Sequence, residues 1–113
     1  MNPFTQKALK ILSSIPEGRV MTYGQAAALA GSPRGARQIV RILHSMSDKH
    51  NLPWHRVINA RGMIAIQDRE TAIRQRELLL SEGIPVSSEG FIDLTVYRAN
   101  IHPEEEMGEE HGY

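Results

Sequence analysis

The sequence predicts a mainly α domain, a winged helix-turn-helix with a small β-hairpin wing, on three observations. Apolar residues recur at three- and four-residue steps over the first fifteen positions. A short helical segment, a tight turn and a longer helical segment follow at once. Two short β-prone runs around Arg61 and Gly62 come after them.

In the first helix, Phe4, Ala8, Ile11, Leu12 and Ile15 form one apolar stripe that stops before Pro16 and Gly18. Thr22 and Gln25 have the spacing of a capping box and Gly31 is placed as a stop, so a second helix runs from roughly 23 to 30. Ser32 as cap and Pro33 in the first turn start a third helix immediately, leaving only a tight turn between the two. There Ala36, Ile39, Val40 and Leu43 make the inward face, while Arg37, Arg41 and His44 line another, cationic one. The run ARGMIAI supplies the hairpin wing. Asp68 or Thr71 opens a last long helix through ETAIRQRELLLSEG, with Ala72, Leu79 and Leu80 inward and Gly83 as its stop. FIDLTVYRA reads as one more short strand or an extended segment.

Composition bounds the function. A chain of 113 residues suits one core, and 41% hydrophobic with 23% charged residues is the balance of a soluble domain. No apolar run approaches the roughly 20 residues of a membrane crossing, and the start MNPFTQKALKILSSIPEG lacks the pattern of a secretory signal, so a cytoplasmic location is expected. The absence of cysteine excludes disulfides, thiolate metal sites and cysteine nucleophiles. His44, His50 and His55 match no usual ligand spacing, so neither a metal nor any other cofactor is expected.

Net charge is zero, but it is segregated. The final PEEEMGEEHGY holds five of the 13 acids and no Lys or Arg, which leaves residues 1 to 102 with 13 bases against 8 acids, or +5. A basic body points to a polyanionic partner. The division expected is a domain over 1–102 and a disordered acidic tail over 103–113.

The stretch PWHRV at 53 to 57 carries the functional question. Pro53 keeps Leu52 out of a helix and fixes the approach to Trp54, as suits a chain held at the edge of a cavity. A lone tryptophan and histidine equally suit a core, and the residues by themselves leave both readings open.

The segment TYGQAAALAGSPRGARQIV followed by PWHRVINARG resembles the DNA-binding half of the O6-alkylguanine-DNA alkyltransferases, whose hallmark is Pro-Cys-His-Arg-Val. With tryptophan at the cysteine position, it is most similar to the alkyltransferase-like proteins, over about residues 3 to 97. The resemblance implies that Tyr23 presses on the phosphate of a damaged nucleotide and that Arg37 fills the gap left when that nucleotide swings out. It implies that the helix bearing Arg37 lies in the minor groove, with Thr22, Tyr23, Gly35, Ala36, Arg37, Gln38 and Arg41 at the DNA. His55 and Glu82 match the pair that draws a proton from the family's cysteine, and Asn59 a position that shapes the site. The lesion pocket expected on this basis comprises Tyr23, Pro53, Trp54, His55, Arg56, Val57, Asn59, Gln67, Arg69 and Glu82. Where the transferases continue with a Gly-Tyr-x-Gly-Gly loop, this chain reads MIAIQDRE, so a looser pocket with Gln67 or Arg69 near the base, open to bulkier adducts, is expected.

Alkyl transfer needs a soft nucleophile, and indole is none, because its nitrogen lone pair belongs to the ring and its N–H only donates. Trp54 is therefore expected to serve as an apolar wall, and the protein as a non-enzymatic sensor. It would bind and flip O6-alkylguanine in duplex DNA as a monomer, and by resemblance flag the lesion for nucleotide excision repair. The alternatives are a winged-helix regulator that reads undamaged sequence, and a hydrolase in which His55 and Glu82 activate water.

Overall fold

Eight short elements, laid down in a computed structural model that describes residues 1–101, surround two adjoining cores. The tail expected over 103–113 lies outside the described residues. Helix α1 spans Pro3–Ser13, started by the Asn2 side chain accepting from the Thr5 N–H and by proline in the first turn. The stripe is inward as expected: Ala8, Ile11, Leu12 and Ile15 are buried.

Strand β1, Met21–Thr22, leads directly into α2, Tyr23–Leu29. The Thr22 hydroxyl accepts from the Gln25 N–H at 3.0 Å, but the return half of the capping box is not made. The Gln25 side chain instead reaches the Ala99 carbonyl at 2.8 Å, tying the helix to the C-terminal segment.

Helix α3 spans Ala36–His50, later than the sequence predicts. Ser32 does not cap it: its carbonyl accepts from the Gly35 N–H at 2.8 Å, so Ser32-Pro33-Arg34-Gly35 is a turn of its own. Gly35 is buried there, and a Cβ on it would stand 3.0 Å from the Phe4 ring. Its buried residues are Ile39 and Ile42, with Ala36 and Leu43 partly covered, while Val40, expected inward, is 46% exposed.

Asn51, in the left-handed conformation at φ 53°, ends α3. A 3-10 turn, Trp54–Arg56, and strand β2, Val57–Ile58, follow. Strand β2 pairs in parallel with β1, Met21 opposite Val57 and Thr22 opposite Ile58. The sequence does not predict this parallel pair. A turn does close at Asn59, whose side-chain oxygen accepts from the Arg61 and Met63 N–H groups. The Asn59 N–H reaches across to the Met63 carbonyl at 3.1 Å, and the returning chain also pairs with 90–92, Met63 bridging to Phe91 and the Ile92 N–H meeting the Gly62 carbonyl.

Helix α4, Arg69–Ser81, is capped by Asp68, which accepts from the Thr71 N–H. Leu79 faces in and Ala72 is partly covered, but Leu80 is exposed. FIDLTVYRA forms a short helix, α5, over Leu94–Tyr97, and Val20 bridges to Arg98 just past it. One core lies among α1, α2 and α3; the other gathers Val20, Ile58, Leu79, Ile84, Val86 and Ile92. The two-strand sheet lies between them, because Val57 belongs to the first core and Ile58 to the second.

Candidate lesion-recognition site

The sequence local to Trp54 dictates its presentation. Pro53 has φ −77° and ψ 64°, and the Trp54 N–H donates to the Leu52 carbonyl at 2.8 Å, which together make an inverse γ-turn that the proline ring favours. The 3-10 turn then closes with the Arg56 N–H on the Pro53 carbonyl at 3.0 Å. The Trp54 ring stands edge-on to the His55 imidazole, centroids 6.2 Å apart and planes at 83°.

Three contacts fix this stretch. The parallel pairing of β2 holds its exit. The Gln75 amide, fully buried on α4, donates to the carbonyls of His55 at 3.1 Å and Val57 at 3.0 Å. The Glu82 carboxylate accepts from Arg56 Nε and Nη2, from the Gly18 N–H at 3.0 Å, and meets His55 Nε2 at 2.6 Å. Burial pushes the Glu82 carboxyl up, but the bonds from Arg56, Gly18 and His55 outweigh it and hold its pKa down to about 2. The carboxylate is therefore ionised throughout the physiological range.

Beside Trp54 opens a cavity of about 860 Å³ between α3 and the segment 65–71. Tyr23, Val40, Leu43 and Trp54 line one part of it, Ala65, Ile66, Gln67, Asp68 and Thr71 another, and His44, Ser45, Ser47 and Asp48 the rest. Burial raises the Tyr23 hydroxyl above its ordinary value, so it stays a neutral donor.

Of the residues expected in the lesion pocket, Tyr23, Trp54 and Gln67 line this cavity. Pro53 shapes the turn without lining it, and Val57 is buried in the sheet. His55, Arg56 and Glu82 form the clasp just described; Arg56 is committed, since its third nitrogen, Nη1, donates to the Ile15 carbonyl at 2.8 Å. Asn59 holds the turn after β2, and Arg69 is exposed at the start of α4, outside the lining. Among the residues expected at DNA, Arg37, Gln38 and Arg41 are exposed on α3 and Ala36 is partly covered. Thr22 and Gly35 are buried, Thr22 because its hydroxyl caps α2, Gly35 because Phe4 covers it.

Sequence reasoning missed Gln75, Val40 and the polar wall of His44 and Asp48. The signal for Gln75 was its place between Ala72 and Leu79 at three- and four-residue steps, an inward position held by a polar residue. No group of three or more histidine, aspartate or glutamate side chains able to hold a metal ion occurs among the described residues.

A helical fold, the turn at Pro53 and an aromatic-walled cavity point to one class: the family model described as "6-O-methylguanine DNA methyltransferase, DNA binding domain" matches residues 3–84. The chain is 48% identical over 97 residues to the "DNA base-flipping protein" of Escherichia coli, 86% of this chain and 74% of that one. It is 37% identical over 87 residues to "Alkyltransferase-like protein 1" of Schizosaccharomyces pombe, 76% of this chain and 81% of that one. The fold superposes on S. pombe Atl1, solved in complex with damaged DNA containing O6-carboxymethylguanine, with a TM-score of 0.77 at 34% identity, covering 89% of this chain and 98% of that one. This chain belongs to the alkyltransferase-like family.

Proposed function

We propose that this chain is a non-enzymatic sensor of O6-alkylguanine in duplex DNA. It swings the altered nucleotide out of the stack, holds it against Trp54 and leaves the alkyl group in place. The carrying observation is that Trp54 lines an open cavity where alkyl transfer would need a thiolate, in a chain without cysteine. Selectivity then has two sources. Alkylation weakens base pairing and cheapens flipping, and each CH₂ moved from water to the wall contributes about 0.8 kcal/mol. An opening of about 860 Å³ supports adducts larger than methyl.

In this reading α2 and α3 act as the helix-turn-helix and the turn at 59–63 takes the place of a wing. Arg37 is the wedge that occupies the vacated stack, Arg41 and Gln38 contact the backbone, and α3 enters the minor groove. The protein works as a monomer in the cytoplasm and passes the marked site to nucleotide excision repair. The test is affinity for an O6-methylguanine duplex against its unmodified twin, at stated salt, followed by base analysis. Tighter binding of the lesion duplex with its adduct recovered intact is expected. Equal affinities would end the proposal, and repaired guanine would make the protein an enzyme.

A further inference from the structure

Helix α4 meets the cavity twice. Thr71, in its first turn, lines the wall made by 65–71. Gln75 stands four residues on, about 6 Å further along the helix axis, and holds the backbone that presents Trp54. It is fully buried, and its amide nitrogen donates to the carbonyls of His55 at 3.1 Å and Val57 at 3.0 Å. Its oxygen, Oε1, is buried as well and accepts from no described residue. Turning the amide over would set that oxygen against two carbonyl oxygens, so the side chain serves as a donor alone. An idle buried acceptor is destabilising, as expected where a position serves a site rather than a core. His55 carries the link onward: its Nε2 meets Glu82 at 2.6 Å, and its ring stands edge-on to the Trp54 indole. Gln75 within α4 and Glu82 at its end thus grip His55 by its carbonyl and its ring.

We infer that Gln75 is a positioning residue that fixes the separation of Trp54 from the wall at 65–71, and through it the size of O6 adduct the site favours. Being fully buried and outside the lining, it touches neither base nor adduct. The inference rests on the proposed lesion sensing and adds to it the residue that sets its size selectivity. Without the amide donor the turn carrying Trp54 is free to move away from α4 and the cavity widens. A methyl group then loses contact with the indole before a bulky group does.

The test measures affinity for three duplexes that differ only at one guanine: unmodified, O6-methyl and O6-benzyl. In Gln75→Met the preference for methyl over unmodified guanine is expected to fall about threefold to tenfold, the worth of one aromatic contact. The preference for benzyl should fall less. Affinity for the unmodified duplex should hold, because the exposed arginines of α3 are untouched. Gln75→Asn keeps the amide but is one methylene too short to reach both carbonyls, and should move the same way. Ile11→Val, a trimmed side chain in the core among the first three helices, lowers stability without touching the turn and should keep the wild-type pattern. Methyl and unmodified duplexes bound equally by the wild type would end lesion sensing, and this inference with it. A wild-type preference that survives in Gln75→Met, falls equally for methyl and benzyl, or falls as far in Ile11→Val overturns the inference alone and leaves lesion sensing in place.

Discussion

Arg56 grips Glu82 with two nitrogens, Nη2 at 2.7 Å and Nε at 3.0 Å, and the same carboxylate lies 2.6 Å from His55. In a transferase the histidine and glutamate serve proton transfer; this chain has no cysteine for them to act on, and the arginine makes the carboxylate a staple. It ties the 3-10 turn to the end of α4 and, through Gly18 and Ile15, to the exit of α1. Glu82→Gln is expected to destabilise the protein by about 3 kcal/mol, because the Arg56 charge loses its partner while still largely covered. Chemical denaturation checks this, with a shift in midpoint at unchanged slope as the expected form.

The same staple sets an acid limit. The Glu82 carboxyl has a lower pKa folded, about 2, than unfolded, about 4.5. Its stabilising contribution, on the order of 2 kcal/mol, is therefore complete above pH 4.5 and drains away as the pH falls toward 2. Asp68 and Glu89 are also held low, through Thr71 and Ser88, and add to the slope. The difference between wild type and Glu82→Gln should shrink steadily over that interval. A difference that stays constant from pH 6 to pH 3 would show that the pKa is not depressed.

Gln75→Met keeps the volume of the side chain but leaves the carbonyls of partly buried His55 and buried Val57 without this donor. A loss of about 1 to 3 kcal/mol in stability is expected. Trp54 is the only tryptophan in the chain, so its fluorescence reports whether the turn that carries it has loosened. A red-shifted emission in the folded variant is the expected sign.

Gly62→Ala is predicted to be harsher than its size suggests. The residue sits at φ 82°, and a Cβ there would lie 2.7 Å from the Ile92 carbonyl oxygen, a backbone atom that cannot swing aside. More than about 2 kcal/mol of destabilisation is expected, against about 1 kcal/mol at Gly83, where φ is also positive but nothing stands within reach. Thermal melts of the two variants side by side measure the contrast.

Arg37→Ala should weaken binding to lesion duplex by about 1 to 3 kcal/mol, since the gap left by the flipped base goes unfilled. The stability of the free protein should not change, because Arg37 is exposed. Binding curves on O6-methylguanine DNA decide it; undiminished affinity would take Arg37 out of the wedge role.

The helices were legible because their apolar periodicity and their caps at Thr22 and Asp68 are local properties. The errors came where a local signal met a distant partner. Ser32 and Pro33 look like a helix start, yet Phe4 closes over Gly35 and the helix begins only past it. The arms around Arg61 and Gly62 look like a hairpin, yet one of them bonds to residues 90–92, which no short window contains. At the site, the turn at Pro53 could be read from its residues, whereas the commitment of Arg56 to Glu82 could not. Arginine beside histidine in a short motif looks available for a ligand until the carboxylate 26 positions away is seen to hold it.

The parallel pairing of Met21 with Val57 spans 36 positions of chain, and Tyr23 and Trp54 lie just outside its two ends. Closing so long a loop costs chain entropy, so this ladder is expected to be among the later contacts to form. A nascent or partly melted chain would thus keep its surface arginines yet have no assembled cavity. Such a chain would still cling to nucleic acid through charge while being blind to damage.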